Sequence, residues 1–360
     1  MPSLFDPLPL RGVVLPNRIG IPPMCQYTAV DGMAQDWHFV HYGSRAAGGA
    51  GLIIVEATAV APEARISPAD IGLWRDDQVA PLARIAAFMK AQGSVAAIQL
   101  AHSGRKGSAA LGWQEQKTLN AAEGGWATVA PSPIAFGDGY APPQELDAAG
   151  LRRVVEQFAA ATKRAHAAGF QVVEIHAAHG YLLHEFLSPL ANKRSDAYGG
   201  SFDKRIRLLC EVVTAVRAEL PPDLPLLVRL SATDWVEGGW NAEETVQLCR
   251  LLKTMGVDLI DVSTAGMVPT AKIPVGPGFQ TEFAARVRRE AEIPTAAVGL
   301  ITSAAQAGHI VHSGQADMVL LGRELLRDPY WPLHAAQELR KSIGWPEQYL
   351  RAAPSGTPAR

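Results

Sequence analysis

Gly169-Phe170-Gln171-Val172-Val173-Glu174-Ile175-His176-Ala177-Ala178-His179-Gly180-Tyr181 is the stretch on which the interpretation of this chain turns. A glycine closes the helical pattern of Leu151–Ala165, and Gln171–Ile175 then reads as a short buried strand. Just beyond it come two imidazoles and a phenol within six residues. Two imidazoles can hold a developing oxyanion by donating N–H bonds, and a phenol with a pKa near ~10 can supply a proton. That chemistry suits addition of hydride and a proton across a polarised double bond.

The same unit, a helix closed by glycine and followed by a buried strand, recurs along the chain. Candidate strands are Arg18–Met24, Leu52–Ala57, Val95–Ala101, Val172–His176, Leu226–Leu230, Leu259–Thr264, Thr295–Gly299 and Met318–Gly322. Apolar periodicity marks helices between them, as in Val79–Met89, Leu151–Ala165 and Thr245–Met255. Eight strands alternating with helices favour a closed (β/α)8 TIM barrel in the α/β class. A doubly wound open sheet is second choice, because no Gly-X-Gly-X-X-Gly links a strand to a helix. Arg11-Gly12 between Leu8–Leu10 and Val13–Leu15 reads as an N-terminal hairpin covering one end of the barrel. Ser103–Pro143 is the longest irregular stretch and is expected to cap the site as a lid. Residues 1–351 are then one domain, and Ala352–Arg360, rich in Pro, Ser and Gly, is expected to be a flexible tail.

The 360 residues are 48% hydrophobic and 19% charged, which is ordinary for a globular protein with a large core. A net charge of −2 argues against nucleic acid or an anionic membrane as partner. Cys25, Cys210 and Cys249 are widely spaced and odd in number, so neither a disulfide framework nor a metal knuckle is expected. With no targeting or membrane-spanning pattern in view, the expected location is the cytoplasm.

In a barrel of this kind the C-terminal strand ends form one face, where loops assemble sites. Cys25 and Tyr27 fall there after the first strand, with Glu56 and Ala57 at the second and Gln99 and His102 at the third. His176, His179 and Tyr181 follow the fourth, Arg229 the fifth, Gly299 the seventh, and Gly322 with Arg323 the eighth. Gln99 and Arg229 could equally belong to an internal polar layer. A buried Arg229 requires an anionic or electron-rich partner. Gly322-Arg323 before a short helical turn matches the phosphate position of such barrels, and Gly299 permits close backbone approach. Together these residues point to a phosphorylated cofactor on a barrel.

His184-Glu185-Phe186-Leu187-Ser188-Pro189-Leu190, the following Asn192-Lys193-Arg194-Ser195-Asp196, and Pro22-Pro23-Met24-Cys25-Gln26-Tyr27 carry a family likeness. With Leu4-Phe5-Asp6-Pro7 and Asp328-Pro329-Tyr330-Trp331-Pro332 they span nearly the whole chain. It resembles the Old Yellow Enzyme family of flavin-dependent ene reductases, and within it the xenobiotic-reductase, NADPH dehydrogenase-like branch. The resemblance implies tightly bound FMN, lined by Pro22, Pro23, Met24 and Cys25. Ala57 and Gln99 would contact the ring, Arg229 its N1–O2 side, and Gly322 with Arg323 its phosphate, beside Gly299. His176 and His179 would hold the oxygen of an enone-type substrate, Tyr181 would protonate it, and Tyr27 would close the pocket. NADPH would reduce the flavin first and the alkene would follow in the same pocket. Gln348-Tyr349-Leu350-Arg351 resembles a segment that enters a neighbouring subunit's site, which implies a homodimer or a dimer of dimers. Val298 stands where some relatives carry an aromatic residue, so substrate shape does not transfer. Two alternatives stay open: a metal-dependent barrel hydrolase using the His-X-X-His spacing, and a flavin-binding redox sensor without turnover. Against the first, no Asp or Lys is evident at the matching strand ends.

Overall fold

A computed structural model describes residues 1–360. The chain opens with a hairpin of β1 (Leu8–Leu10) and β2 (Val13–Leu15) and continues into β3 (Ile19–Ile21), α1 (Asp36–Ala47) and β4 (Leu52–Ala59). There follow α2 (Val79–Ala91), β5 (Val95–Ala101), the short pair β6 (Val129–Ala130) and β7 (Gln144–Glu145), α3 (Ala148–Ala167) and β8 (Val172–Ala177). The next helices are α4 (Leu182–Leu187), α5 (Phe202–Arg205) and α6 (Arg207–Glu219), leading to β9 (Leu226–Ser231). The chain closes with α7 (Ala242–Thr254), β10 (Leu259–Ser263), α8 (Thr281–Glu290), β11 (Thr295–Val298), α9 (Ala304–His312), β12 (Met318–Leu320), α10 (Arg323–Arg327) and α11 (Trp331–Glu338).

Eight strands close into a parallel barrel in the order β3-β4-β5-β8-β9-β10-β11-β12. This is the (β/α)8 TIM barrel, and all eight expected strands are in it. The first is shorter than expected and stops at Ile21, because Pro22 and Pro23 have no N–H to donate to a ladder. Asp147 caps α3 by accepting from Gly150 N–H at 2.7 Å, and Gly169 after that helix takes φ +84°, a left-handed turn into β8.

Side chains alternate between the barrel interior and the helix layer. Leu52, Ile54, Val95, Val172, Leu227 and Leu259 pack inside with Leu8, Leu10, Val13 and Leu15, so the hairpin plugs the N-terminal mouth. Its tip is pinned there: Gly12 N–H donates to Asp223 O at 2.9 Å, where an added Cβ would also lie 2.9 Å from that oxygen. The opposite strand faces form the larger core under the helices. No helix is long and apolar enough to cross a membrane.

Ser103–Pro143 runs over the other mouth with little regular structure. Trp113 meets the ring of Tyr27 edge-on at 5.9 Å between centroids, and Arg105 donates to Met267 O at 2.7 Å. The C-terminal segment, expected to be a flexible tail, ends on a side chain that reaches back to the helices. The Arg360 guanidinium donates to Ala46 O (2.8 Å) and Ala47 O (3.0 Å) at the end of α1, and to Gln92 O (3.0 Å) after α2. It therefore satisfies helix-terminal carbonyls that have no partner within their own helices.

Candidate active site

Ala57, Gln99 and Arg229 lie inside β4, β5 and β9, while Pro22–Cys25, Tyr27, His176, His179, Tyr181, Gly299, Gly322 and Arg323 lie at or just beyond the C-terminal ends of barrel strands. The backbone there is unusual in the same places. Tyr27 after β3, His179 after β8, Ala265 after β10 and Leu300 after β11 all have φ between +49° and +66°, a region costly for residues with a Cβ.

The core of the site is one triangle. The rings of His176 and His179 are 5.2 Å apart, and those of His176 and Tyr181 are 5.1 Å apart. His176 Nδ1 accepts from Ala178 N–H at 3.3 Å, which leaves the ring proton on Nε2. His179 Nε2 lies 2.8 Å from Ser263 Oγ. Burial, helped by the charge of Arg229, pushes both imidazoles well below their usual range, so they are neutral. Burial pushes the Tyr181 phenol up, keeping its proton in place.

Beneath the triangle sits a polar layer that was only half visible in the sequence. Gln99 Nε2 donates to Glu174 at 2.8 Å, and Arg229 Nε stands 3.0 Å from Asp261. Asp261 is thus the anionic partner that a buried Arg229 required, and its carboxyl is pushed up to about 6 by burial, against the pull of Arg229. The terminal amino groups of Arg229 make no hydrogen bond within the chain, so an electron-rich acceptor can still be served there. The layer follows from period two: Val172, Glu174, His176; Leu227, Arg229, Ser231; and Leu259, Asp261, Ser263 each read apolar, charged, polar along one strand face. That pattern would have revealed Glu174, Asp261 and Ser263.

Lys106 was missed for a different reason, since it lies in an irregular loop with no periodicity. It is half-buried with its ammonium 4.9 Å from the ring centre of Tyr181, donating to His179 O at 2.9 Å, and desolvation lowers it to about 8. Asp261 lies in the middle of β10 beside Arg229, and Lys106 in the loop after β5. His102 and Glu56 turn elsewhere: His102 Nδ1 accepts from Gly104 N–H (3.1 Å), and Glu56 accepts from Tyr42 Oη (2.7 Å) and Gln26 N–H (2.9 Å).

Cys25 is half-buried, and burial raises its thiol well above the usual range. Beside it, past the ends of β11 and β12, Gly299, Thr302, Gly322 and Arg323 line a cavity of ≈ 150 Å³, large enough for a phosphate group. A Cβ on Gly322 would clash with nothing in the protein, lying 3.6 Å from Met24 Sδ and 3.7 Å from Pro22, so this glycine keeps space open for a ligand. Gly299 is required by its own φ of +121°. A ring-shaped acceptor over Gln99 and Arg229 with a phosphate beside Gly322 fits FMN. No three His, Cys, Asp or Glu side chains converge in metal-binding geometry.

Residues 3–342 match the model of the NADH:flavin oxidoreductase / NADH oxidase family. The chain belongs to this family. Its curated relatives include the NADPH dehydrogenase of Geobacillus thermodenitrificans, 47% identical over 350 residues that cover 97% of this chain and 98% of that protein. The NADPH dehydrogenase of Listeria monocytogenes (strain HCC23) is 47% identical over 354 residues, 98% of this chain and 99% of that one. Among solved structures, morphinone reductase in complex with tetrahydroNAD superimposes with a TM-score of 0.78 at 29% identity, covering 96% of this chain and 93% of its own. The old yellow enzyme homologue of Zymomonas mobilis gives 0.79 at 25% identity, with 98% and 99% covered. As an Old Yellow Enzyme family member this chain is a flavin oxidoreductase, with FMN as cofactor and NADPH as reductant. The hydrolase alternative is not favoured.

Proposed function

We infer that this family member is an ene reductase for the activated C=C bonds of α,β-unsaturated carbonyl compounds, working by a ping-pong cycle. The cluster of His176, His179 and Tyr181 carries the reading: a neutral imidazole stands 5.2 Å from a second one and 5.1 Å from a protonated phenol, ring centre to ring centre. His176 offers Nε2–H. Ser263 Oγ lies 2.8 Å from His179 Nε2; in the tautomer this reading uses, its hydroxyl turns from Gln280 Oε1 to donate to Nε2 and leaves Nδ1–H free. Two N–H donors then hold the substrate oxygen and stabilise negative charge that grows on it. FMN, when bound, would supply the hydride for the β-carbon. Tyr181 gives its proton to the α-carbon, with the Lys106 ammonium over its ring easing the loss of that proton.

Pro22, Pro23, Met24, Cys25, Ala57, Gln99 and Arg229 would hold the flavin ring, and Gly299, Gly322 and Arg323 its phosphate. Residues 1–351 act as one FMN-binding domain, with 103–143 as lid and Tyr27 closing the pocket beneath Trp113. Arg351 lies exposed on the 3₁₀ turn Glu347–Ala352 with no hydrogen bond or ion pair in its own chain, which supports its reaching a neighbouring subunit in a homodimer or dimer of dimers. Three free thiols suit a reducing cytoplasm.

Tyr181→Phe tests the assignment by half-reaction. Oxidation of the reduced enzyme by cyclohexenone should slow by about 10²–10⁴-fold, while reduction by NADPH is nearly unchanged. Equal slowing of both would remove Tyr181 as proton donor. Absence of NADPH turnover with any enone in the wild-type protein would leave a flavin-binding sensor instead.

A further inference from the structure

Behind the His179–Tyr181 turn lies a third histidine, paired with a carboxylate, that the chemistry above leaves unused. His184 in α4 and Asp234 after β9 are both fully buried. Gly180 N–H donates to His184 Nδ1 at 2.9 Å. On the far side of the ring, His184 Nε2 stands 3.0 Å from Asp234 Oδ1. Neither of those two atoms has any other partner, so each can be satisfied only by the other. The second Asp234 oxygen accepts from Ser188 Oγ (2.6 Å) and from Trp240 N–H (2.8 Å). Burial pushes the Asp234 carboxyl up, but His184 and these donors outweigh it and leave the group below the usual range.

A neutral imidazole has one donor nitrogen and one acceptor. Because Nδ1 receives Gly180 N–H, the proton must sit on Nε2, and a carboxylate facing Nε2 favours that tautomer. The turn so held is tight. His179 and Gly180 have φ of +60° and +73°, and a Cβ on Gly180 would come within 2.0 Å of Gly266 O. We propose that Asp234 and His184 are positioning residues: by fixing one tautomer they lock the Gly180 N–H and hold His179 and Tyr181 in place over the barrel. This rests on the reading of His176, His179 and Tyr181 as the groups that hold substrate.

Asp234→Asn is the decisive change. Trp240 N–H needs an acceptor, so the new amide must keep its oxygen there and turn its NH₂ toward His184 Nε2. The imidazole would then carry its proton on Nδ1, donor against donor at Gly180. Phenol titration of the FMN-bound enzyme, followed by its long-wavelength charge-transfer band, should show roughly ten-fold weaker binding. In a His184→Asn background the amide oxygen can accept from Gly180 without help from Asp234. There the same Asp234→Asn change should cost less than about two-fold. Unchanged affinity in Asp234→Asn, or equal cost in both backgrounds, would overturn the lock.

Nitrogen NMR of histidine-labelled wild-type protein tests the lock independently should Asp234→Asn not fold. His184 Nδ1 should be unprotonated, and a protonated Nδ1 would overturn the inference by itself. If wild-type enzyme binds no phenol, the substrate-site reading fails instead, and the NMR result still decides whether the lock exists.

Discussion

His176 and His179 differ from ordinary histidines in one respect that can be measured. Burial holds both below their usual range, so neither gains a proton as the pH drops through about 6.5. Nitrogen NMR of both rings should therefore show no added proton between about pH 5.5 and 7.5, and protonation of either ring in that range would mean that it is cationic. Removing either imidazole by Ala should weaken phenol binding by about 1–3 kcal/mol, as for a hydrogen bond with charge character. Cys25 is a shielded neutral thiol, a weak donor rather than a nucleophile. Cys25→Ala should shift the flavin potential and KM while turnover continues, and complete inactivity with FMN bound would assign the thiol a chemical step.

At the scale of elements, α1 shows how a buried histidine enters stability. His41 packs edge-on against Tyr42, its Nε2 has no partner, and burial lowers it to about 3. Below about pH 6.5 the unfolded chain binds a proton at this site and the folded chain does not, so the site's contribution to stability falls as pH falls, until about pH 3. Relative to His41→Phe, wild-type unfolding free energy should drop by about 1.4 kcal/mol per pH unit in that window. Parallel curves in denaturant titrations at pH 7 and pH 5 would contradict this. The same helix ends on the Arg360 guanidinium. Arg360→Ala should raise hydrogen exchange across Trp345–Arg360 by about ten-fold while the barrel strands stay protected. No change would mean that the 3₁₀ turn and the bridge between Trp345 and Ala359 hold the segment alone.

For the molecule as a whole, the test is whether Arg351 works in trans. Mixing inactive Arg351→Ala and Tyr181→Phe variants under conditions of subunit exchange should restore activity, because some hybrid sites draw both intact residues from different chains. No recovery despite shown exchange would keep Arg351 out of the neighbour's site. The sequence by itself determined the eight strands, their alternation with helices and the N-terminal hairpin. Those follow from periodicity, glycine and proline, which act within a few residues of chain. It also marked His176, His179, Tyr181 and Arg229, because polar groups at the end of an apolar strand are conspicuous locally. The tertiary structure alone decided the partners. Asp261 meets Arg229, Asp234 meets His184, Lys106 comes over Tyr181, and Arg360 caps α1, each across 32 or more residues of chain. Such pairings depend on where barrel closure brings separate strands and loops together, and no local pattern encodes that distance.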